Sequence, residues 1–203
     1  MLDCTSSMKV WIDAAKRKVK NLIEDIKDDH KDFKVLVSLI GYRDFGEKMH
    51  RVDFTEDILV IYDTLITIEA SGGKDAAEDV SGAYSWATCL NWDADVNLLF
   101  HIADAPDHGL LYHDSSVSDH HPDGHPLINL MEEVRDLAIT HVDVTLFRLN
   151  NTTDIMYNMM RKEYLKIRNR GFAIINLECS NIDPETSFYS EVLSQIETSI
   201  SMS

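Results

Sequence analysis

A chain of 203 residues with 44% hydrophobic content is long enough to enclose one full α/β core and leaves no room for an added catalytic domain. Its formal charge of −16 repels nucleic-acid backbones and anionic lipid, so protein surfaces that are basic or bridged by a metal ion are the expected partners. Cys4, Cys89 and Cys179 are odd in number and widely spaced, no secretory signal pattern opens the chain, and no stretch approaches the roughly 20 apolar residues of a membrane span. These features predict a reducing, cytoplasmic compartment.

In chain order, apolar residues at Met8, Ile12, Ala15, Val19, Leu22, Ile23 and Ile26 recur at threes and fours, the spacing of an amphipathic helix. Residues 33–40 are nearly continuous in apolar side chains and stop at Gly41, as a strand covered on both faces reads. A short strand is predicted at 51–54. Helices follow from Ile58 to Ile66 and from Val80 to Ala87, the latter opened by Glu78 and Asp79, where a helix N-terminus favours negative charge. A buried strand is predicted at 96–102, then a long polar loop. Next come a helix from Leu127 to Leu137, a strand at 142–149, a helix from Ile155 to Ile167, a strand at 172–177 and a helix from Phe188 to Ile200. Strands alternating with helices predict a Rossmann-like, doubly wound, mostly parallel sheet flanked by helices, in one domain over 1–203. Met156, Met159 and Met160 read as core filler.

Two places concentrate oxygen donors. Asp3, Thr5 and Ser7 alternate along a turn into the first helix, and the strand at 96–102 runs into Asp104. A carboxylate and two hydroxyls on one loop, joined by a carboxylate from a second, suit a hard divalent cation, Mg²⁺ or Mn²⁺. Sites left for water or an incoming carboxylate make such a centre one that is completed from outside. The same pentad also reads as an ordinary helix start in which Ser6 or Ser7 caps the first turn.

The segments DCTSSM at 3–8, GYRD at 41–44, ASGGKDAAEDV at 70–80 and FHIADAPDHG at 100–109 resemble von Willebrand factor A domains, most closely the branch found beside atypical alpha-kinases. The resemblance implies a metal-ion-dependent adhesion site with Asp3, Thr5, Ser7 and Asp104 as ligands, no catalysis, and a protein partner whose acidic residue completes the coordination. It also implies a further Thr ligand, and that position is Ala76 here, whose methyl offers no oxygen. Asp75 is the expected substitute. Lys74 is a second departure, since its ammonium could neutralise Asp3 and Asp104 without metal. In the resembled fold the first strand precedes the pentad, and only Met1 and Leu2 do so here. The expectation is therefore a domain truncated at its N-terminus, lacking its first central strand and prone to associate through exposed sheet edges.

Asp44, at the end of a strand, reads equally as support for the metal's waters or as a salt-bridge partner of Arg43 or of a neighbouring loop. His101, His108, His113, His120, His121 and His125 crowd one window among aspartates, which raises a metallohydrolase as an alternative. Their spacing is irregular and fits no fixed zinc motif. A third reading is a degenerate, metal-free interaction domain. Glycine loops for phosphate, kinase motifs and nucleophile elbows are absent from the sequence.

Overall fold

The strands and helices follow the apolar periodicities, except that the strand expected at 33–40 lies at Val37–Tyr42, runs through Gly41 and leaves Phe33 exposed. The computed structural model describes residues 1–177 and 183–202; Cys179 lies outside them. A six-stranded sheet carries β1 (Leu2–Asp3), β2 (Val37–Tyr42), β3 (His50–Thr55), β4 (Asn97–Ala103), β5 (Val142–Arg148) and β6 (Phe172–Asn176). The helices are α1 (Lys9–Asp29), α2 (Ile58–Thr67), α3 (Val80–Thr88), α4 (Leu130–Ile139), α5 (Asp154–Leu165) and α6 (Pro184–Met202), with a short 3₁₀ turn at Ser6–Met8 leading into α1. Leu127, expected in the fourth helix, is 91% exposed, because Asn129 caps α4 by accepting from the Met131 amide at 3.0 Å and ends the helix there.

The strand order is β3-β2-β1-β4-β5-β6, parallel throughout except for β3. One sequence expectation needs correction: the first central strand is present, reduced to two residues. Leu2 and Asp3 pair with Gly41 and Tyr42 of β2, and Leu2 also pairs with Ile102 of β4. The Met1 amino group reinforces this join by donating to the Phe100 carbonyl at 2.7 Å.

Because successive strand residues point to opposite faces, neighbouring apolar residues enter different cores. Ile40, Leu99, Val144 and Leu146 pack with α3, α4 and α5, among Tyr84, Leu130, Val134, Met156, Tyr157 and Met160. Leu2, Leu39, Ile102 and Phe147 pack on the other side with α1, α2 and α6, among Met8, Ile12, Leu22, Ile61, Leu65 and Phe188. Burial on both faces is why β2, β4 and β5 read as apolar runs rather than as alternating patterns. Met156 and Met160 are fully enclosed, as core filler.

This order places β1 and β4 side by side while their crossovers leave in opposite directions. Open α/β sheets bind ligands at that reversal, outside the carboxyl ends of the strands. Asp3 ends β1 and Asp104 follows β4 directly.

Candidate metal centre

Four oxygen-bearing side chains meet at that reversal. Asp3 Oδ1 accepts from the Thr5 amide at 2.8 Å, which folds the pentad into a tight turn. Thr5 Oγ1 lies 3.3 Å from Ser7 Oγ, and Ser7 Oγ donates to Asp104 Oδ1 at 3.0 Å. Asp3 and Thr5 form a buried floor while Ser7 is exposed and Asp104 half-buried, so the cluster opens to solvent on one side. The helix-start reading does not hold. Neither Thr5 nor Met8 caps its helical turn with a side chain, Ser6 Oγ donates to the Gly72 carbonyl at 3.0 Å, and Ser7 Oγ faces Asp104.

The floor carries more charge than its partners neutralise. Burial, then the nearby Asp104 charge, push the Asp3 carboxyl up to about 7. Burial also raises Asp104, against the opposing hydrogen bond from Ser7. Among the described residues, the buried side-chain nitrogens and oxygens without a hydrogen-bond partner are Asp3 Oδ2, Asp75 Oδ1 and Glu78 Oε2. All three are carboxylate oxygens, one at the end of β1 and two from the loop before α3. Unpaired buried acceptors carry a large desolvation cost, and a bound dication is a chemistry that satisfies several at once. The residues present therefore fit a divalent ion.

Surrounding backbone holds this arrangement in place. The Asp104 carbonyl accepts from Asn150 Nδ2 at 2.8 Å and from Thr152 Oγ1 at 2.7 Å. Buried Arg43 donates to the carbonyls of Cys4, Ser71, Lys48 and Glu69 at 2.7 to 3.1 Å, tying the turn after β1 to the loops around it. Its guanidinium is spent on carbonyls, and among the described ion pairs Asp44 takes the other expected partner, a neighbouring loop, through His108 Nε2 at 2.9 Å. Lys74 directs its ammonium to the Phe45 carbonyl, 3.4 Å away, and among the described ion pairs it has none with Asp3 or Asp104. Ala76 is exposed and uses its amide on the Ser118 carbonyl at 2.9 Å.

No family model matches the sequence. Among solved structures, the vWF domain of the type V pili tip protein Mfa5 from Porphyromonas gingivalis superposes with a TM-score of 0.56 at 12% identity, covering 97% of this chain and 93% of that one. The chain has the fold of a von Willebrand factor domain. The BatB protein of Bacteroides thetaiotaomicron, with a TM-score of 0.54 at 13% identity over 97% of this chain and 96% of that one, shares it. In sequence, the alpha-protein kinase vwkA of Dictyostelium discoideum is 29% identical across the whole chain, which spans 33% of that relative's length.

In this von Willebrand factor fold, sequence reasoning passed over Glu78, treating it with Asp79 as charge for a helix start. Asp79 does cap α3, accepting from the Gly82 amide at 2.8 Å. Glu78 turns inward. It is 3% exposed, and burial, followed by the charges of Asp3, Asp44, Glu47 and Asp75, drives its carboxyl up to about 9. A Cβ added to Gly73 would fall 2.9 Å from Glu78 Oε1 and 3.6 Å from the Thr5 Cβ, so this carboxyl lies beside the pentad. Gly73 also holds φ at +78°, which together with that close approach calls for glycine. The only sequence signal for Glu78 was an acidic residue two positions after Ala76.

The histidines separate into different roles. His101 is buried in the core with Nε2 2.7 Å from the Tyr42 hydroxyl and Nδ1 3.4 Å from the Tyr84 hydroxyl, and takes no part in a loop site. His108, His113 and His120 gather around Asp44, Asp75 and Asp119, while His121 and His125 pack their rings on Phe45. The expected supports Asp44 and Asp75 are thus brought together with His108.

Proposed function

We propose that this chain is a protein-binding module whose contact depends on a divalent cation. Asp3, Thr5, Ser7 and Asp104 would hold Mg²⁺ or Mn²⁺, with Glu78 supplying oxygen where Ala76 cannot. The ion's part is to offer open coordination to an acidic side chain of the partner. The observation that carries this reading is the continuous Asp3–Thr5–Ser7–Asp104 set at the strand-order reversal, with Asp3 Oδ2 buried and unpartnered. The chain's own residues do the rest. Thr5 and Ser7 orient the carboxylates, Asn150 and Thr152 fix the Asp104 backbone, and Leu110 and Leu111, 66% and 72% exposed on the loop beyond Asp104, offer apolar contact area.

Binding rather than catalysis is the activity proposed, and the resemblance to the pilus-tip vWF domain supports it at the level of fold. The free thiols of Cys4 and Cys89 accord with a cytoplasmic setting. Among the described residues no helix is long and apolar enough to cross a membrane.

Titration calorimetry of the chain with Mg²⁺ should show one ion bound, and Asp3→Ala should abolish the heat. Wild-type protein that takes up no Mg²⁺, or Asp3→Ala binding it as tightly as wild type, overturns the proposal. For any partner found, EDTA should release it.

A further inference from the structure

A second cluster is made of other residues than the Asp3, Thr5, Ser7 and Asp104 set, and its chemistry differs. Asp44 follows β2, Asp75 lies in the loop before α3, and His108 lies in the loop after β4. One ligand atom from each falls within 4.8 Å of the other two. The His108 side chain is fully enclosed, and those of Asp44 and Asp75 are 3% and 1% exposed. The geometry points to a transition-metal site, of the Zn²⁺ class, formed by Asp44, Asp75 and His108 Nε2, with Asp119 as the residue that orients the imidazole.

Three observations carry this. The first is the unpartnered Asp75 Oδ1. Its sister oxygen accepts from the His120 amide, so the carboxylate is anchored with one oxygen unused inside the protein. The second is the histidine's other face. His108 Nδ1 lies 2.8 Å from Asp119 Oδ1, and a carboxylate receiving one ring N–H is the usual way a protein fixes the tautomer of a metal-ligating histidine and aims the opposite nitrogen. Asp119 is itself immobilised, accepting from the Gly109 amide at 2.8 Å, the His121 amide at 2.7 Å and His113 Nε2 at 3.1 Å. The third is charge, since the three enclosed carboxylates of Asp44, Asp75 and Asp119 share two enclosed imidazoles, His108 and His113.

One imidazole with two carboxylates favours Zn²⁺, Mn²⁺ or Fe²⁺ over Mg²⁺ and Ca²⁺, which prefer oxygen alone. Here His108 Nε2 lies 2.9 Å from Asp44 Oδ1. An entering dication takes the place of the proton between them, and that proton leaves to solvent. The Phe45 ring packs with its centroid 4.3 Å from that of the His108 ring.

The test is Zn²⁺ titration against a chromophoric chelator with excess Mg²⁺ present, followed by X-ray absorption at the zinc edge. One Zn²⁺ per chain is expected, with one buried imidazole and oxygen ligands. Asp119→Asn should weaken affinity by about 10- to 100-fold. Asp75→Asn and His108→Gln should weaken it at least as much, and Asp3→Ala should leave it unchanged. Should His108→Gln fail to fold, Asp75→Asn carries the test, because the altered oxygen makes no bond in the fold. Sub-stoichiometric Zn²⁺, a shell of several imidazoles from the surface histidines, or affinity indifferent to Asp75→Asn would each overturn the site.

Discussion

At the scale of single residues, two buried groups set measurable consequences. Glu78 is an acid held inside with one oxygen unused, raised to about 9 by burial and by neighbouring carboxylates. Glu78→Gln should therefore raise the melting temperature of metal-free protein while weakening Mg²⁺ binding by about tenfold, equivalent to about 1.4 kcal/mol. Scanning calorimetry and titration calorimetry read the two opposite signs, and a variant changed in neither would remove Glu78 from the site. His101 behaves differently. Burial, and then the N-terminal ammonium, lower it from 6.5 to about 3. The unfolded chain thus binds a proton that the folded chain refuses throughout that window. The stability His101 contributes is complete above pH 6.5 and is lost as pH falls toward 3, with a slope of up to about 1.4 kcal/mol per pH unit. Denaturation followed from pH 6.5 to 4 should lose about one proton's worth of slope in His101→Gln.

At the scale of elements, the two residues of β1 are held by more than strand pairing. The turn that follows them is tied down through Arg43, whose guanidinium donates to four carbonyls from three segments: Cys4 after β1, Lys48 before β3, and Glu69 and Ser71 after α2. Removing it takes a charged donor from four buried or part-buried carbonyls at once, and hydrogen bonds to charged groups are the stronger ones. Arg43→Met should destabilise the fold by about 3 kcal/mol or more, a fall in melting temperature of about 6 to 12 °C for a domain of this size. It should also loosen the Asp3 turn, so Mg²⁺ affinity should drop with stability. Arg43→Lys should rescue little, since one ammonium cannot reproduce the planar fork.

At the scale of the whole molecule, acidic groups gathered at one end of the sheet make stability depend on pH and on cations together. Asp3 is raised to about 7 and Glu78 to about 9, so the folded chain holds protons that the unfolded chain has already released. Their contribution is intact below about pH 4 and is lost as pH rises through 7 and 9. Metal-free protein should melt progressively lower between pH 5 and 8, and saturating Mg²⁺ should flatten that fall by favouring the ionised forms. Equal pH profiles with and without the ion would count against a shared cation site. Much of this molecule was legible in the order of its residues. Periodicity of apolar side chains is local, so it marked the helices, the buried strands and hence the α/β class, and the pentad's donors are neighbours along one turn. What no local pattern carried was enclosure by distant segments. The inward turn of Glu78, the division of six histidines between core and loop, the meeting of Asp44, Asp75 and His108, and the survival of β1 between β2 and β4 all depend on crossovers bringing separate loops to one edge of the sheet. Only tertiary structure decides which carboxylate is left buried without a partner, because desolvation comes from residues far away in the chain.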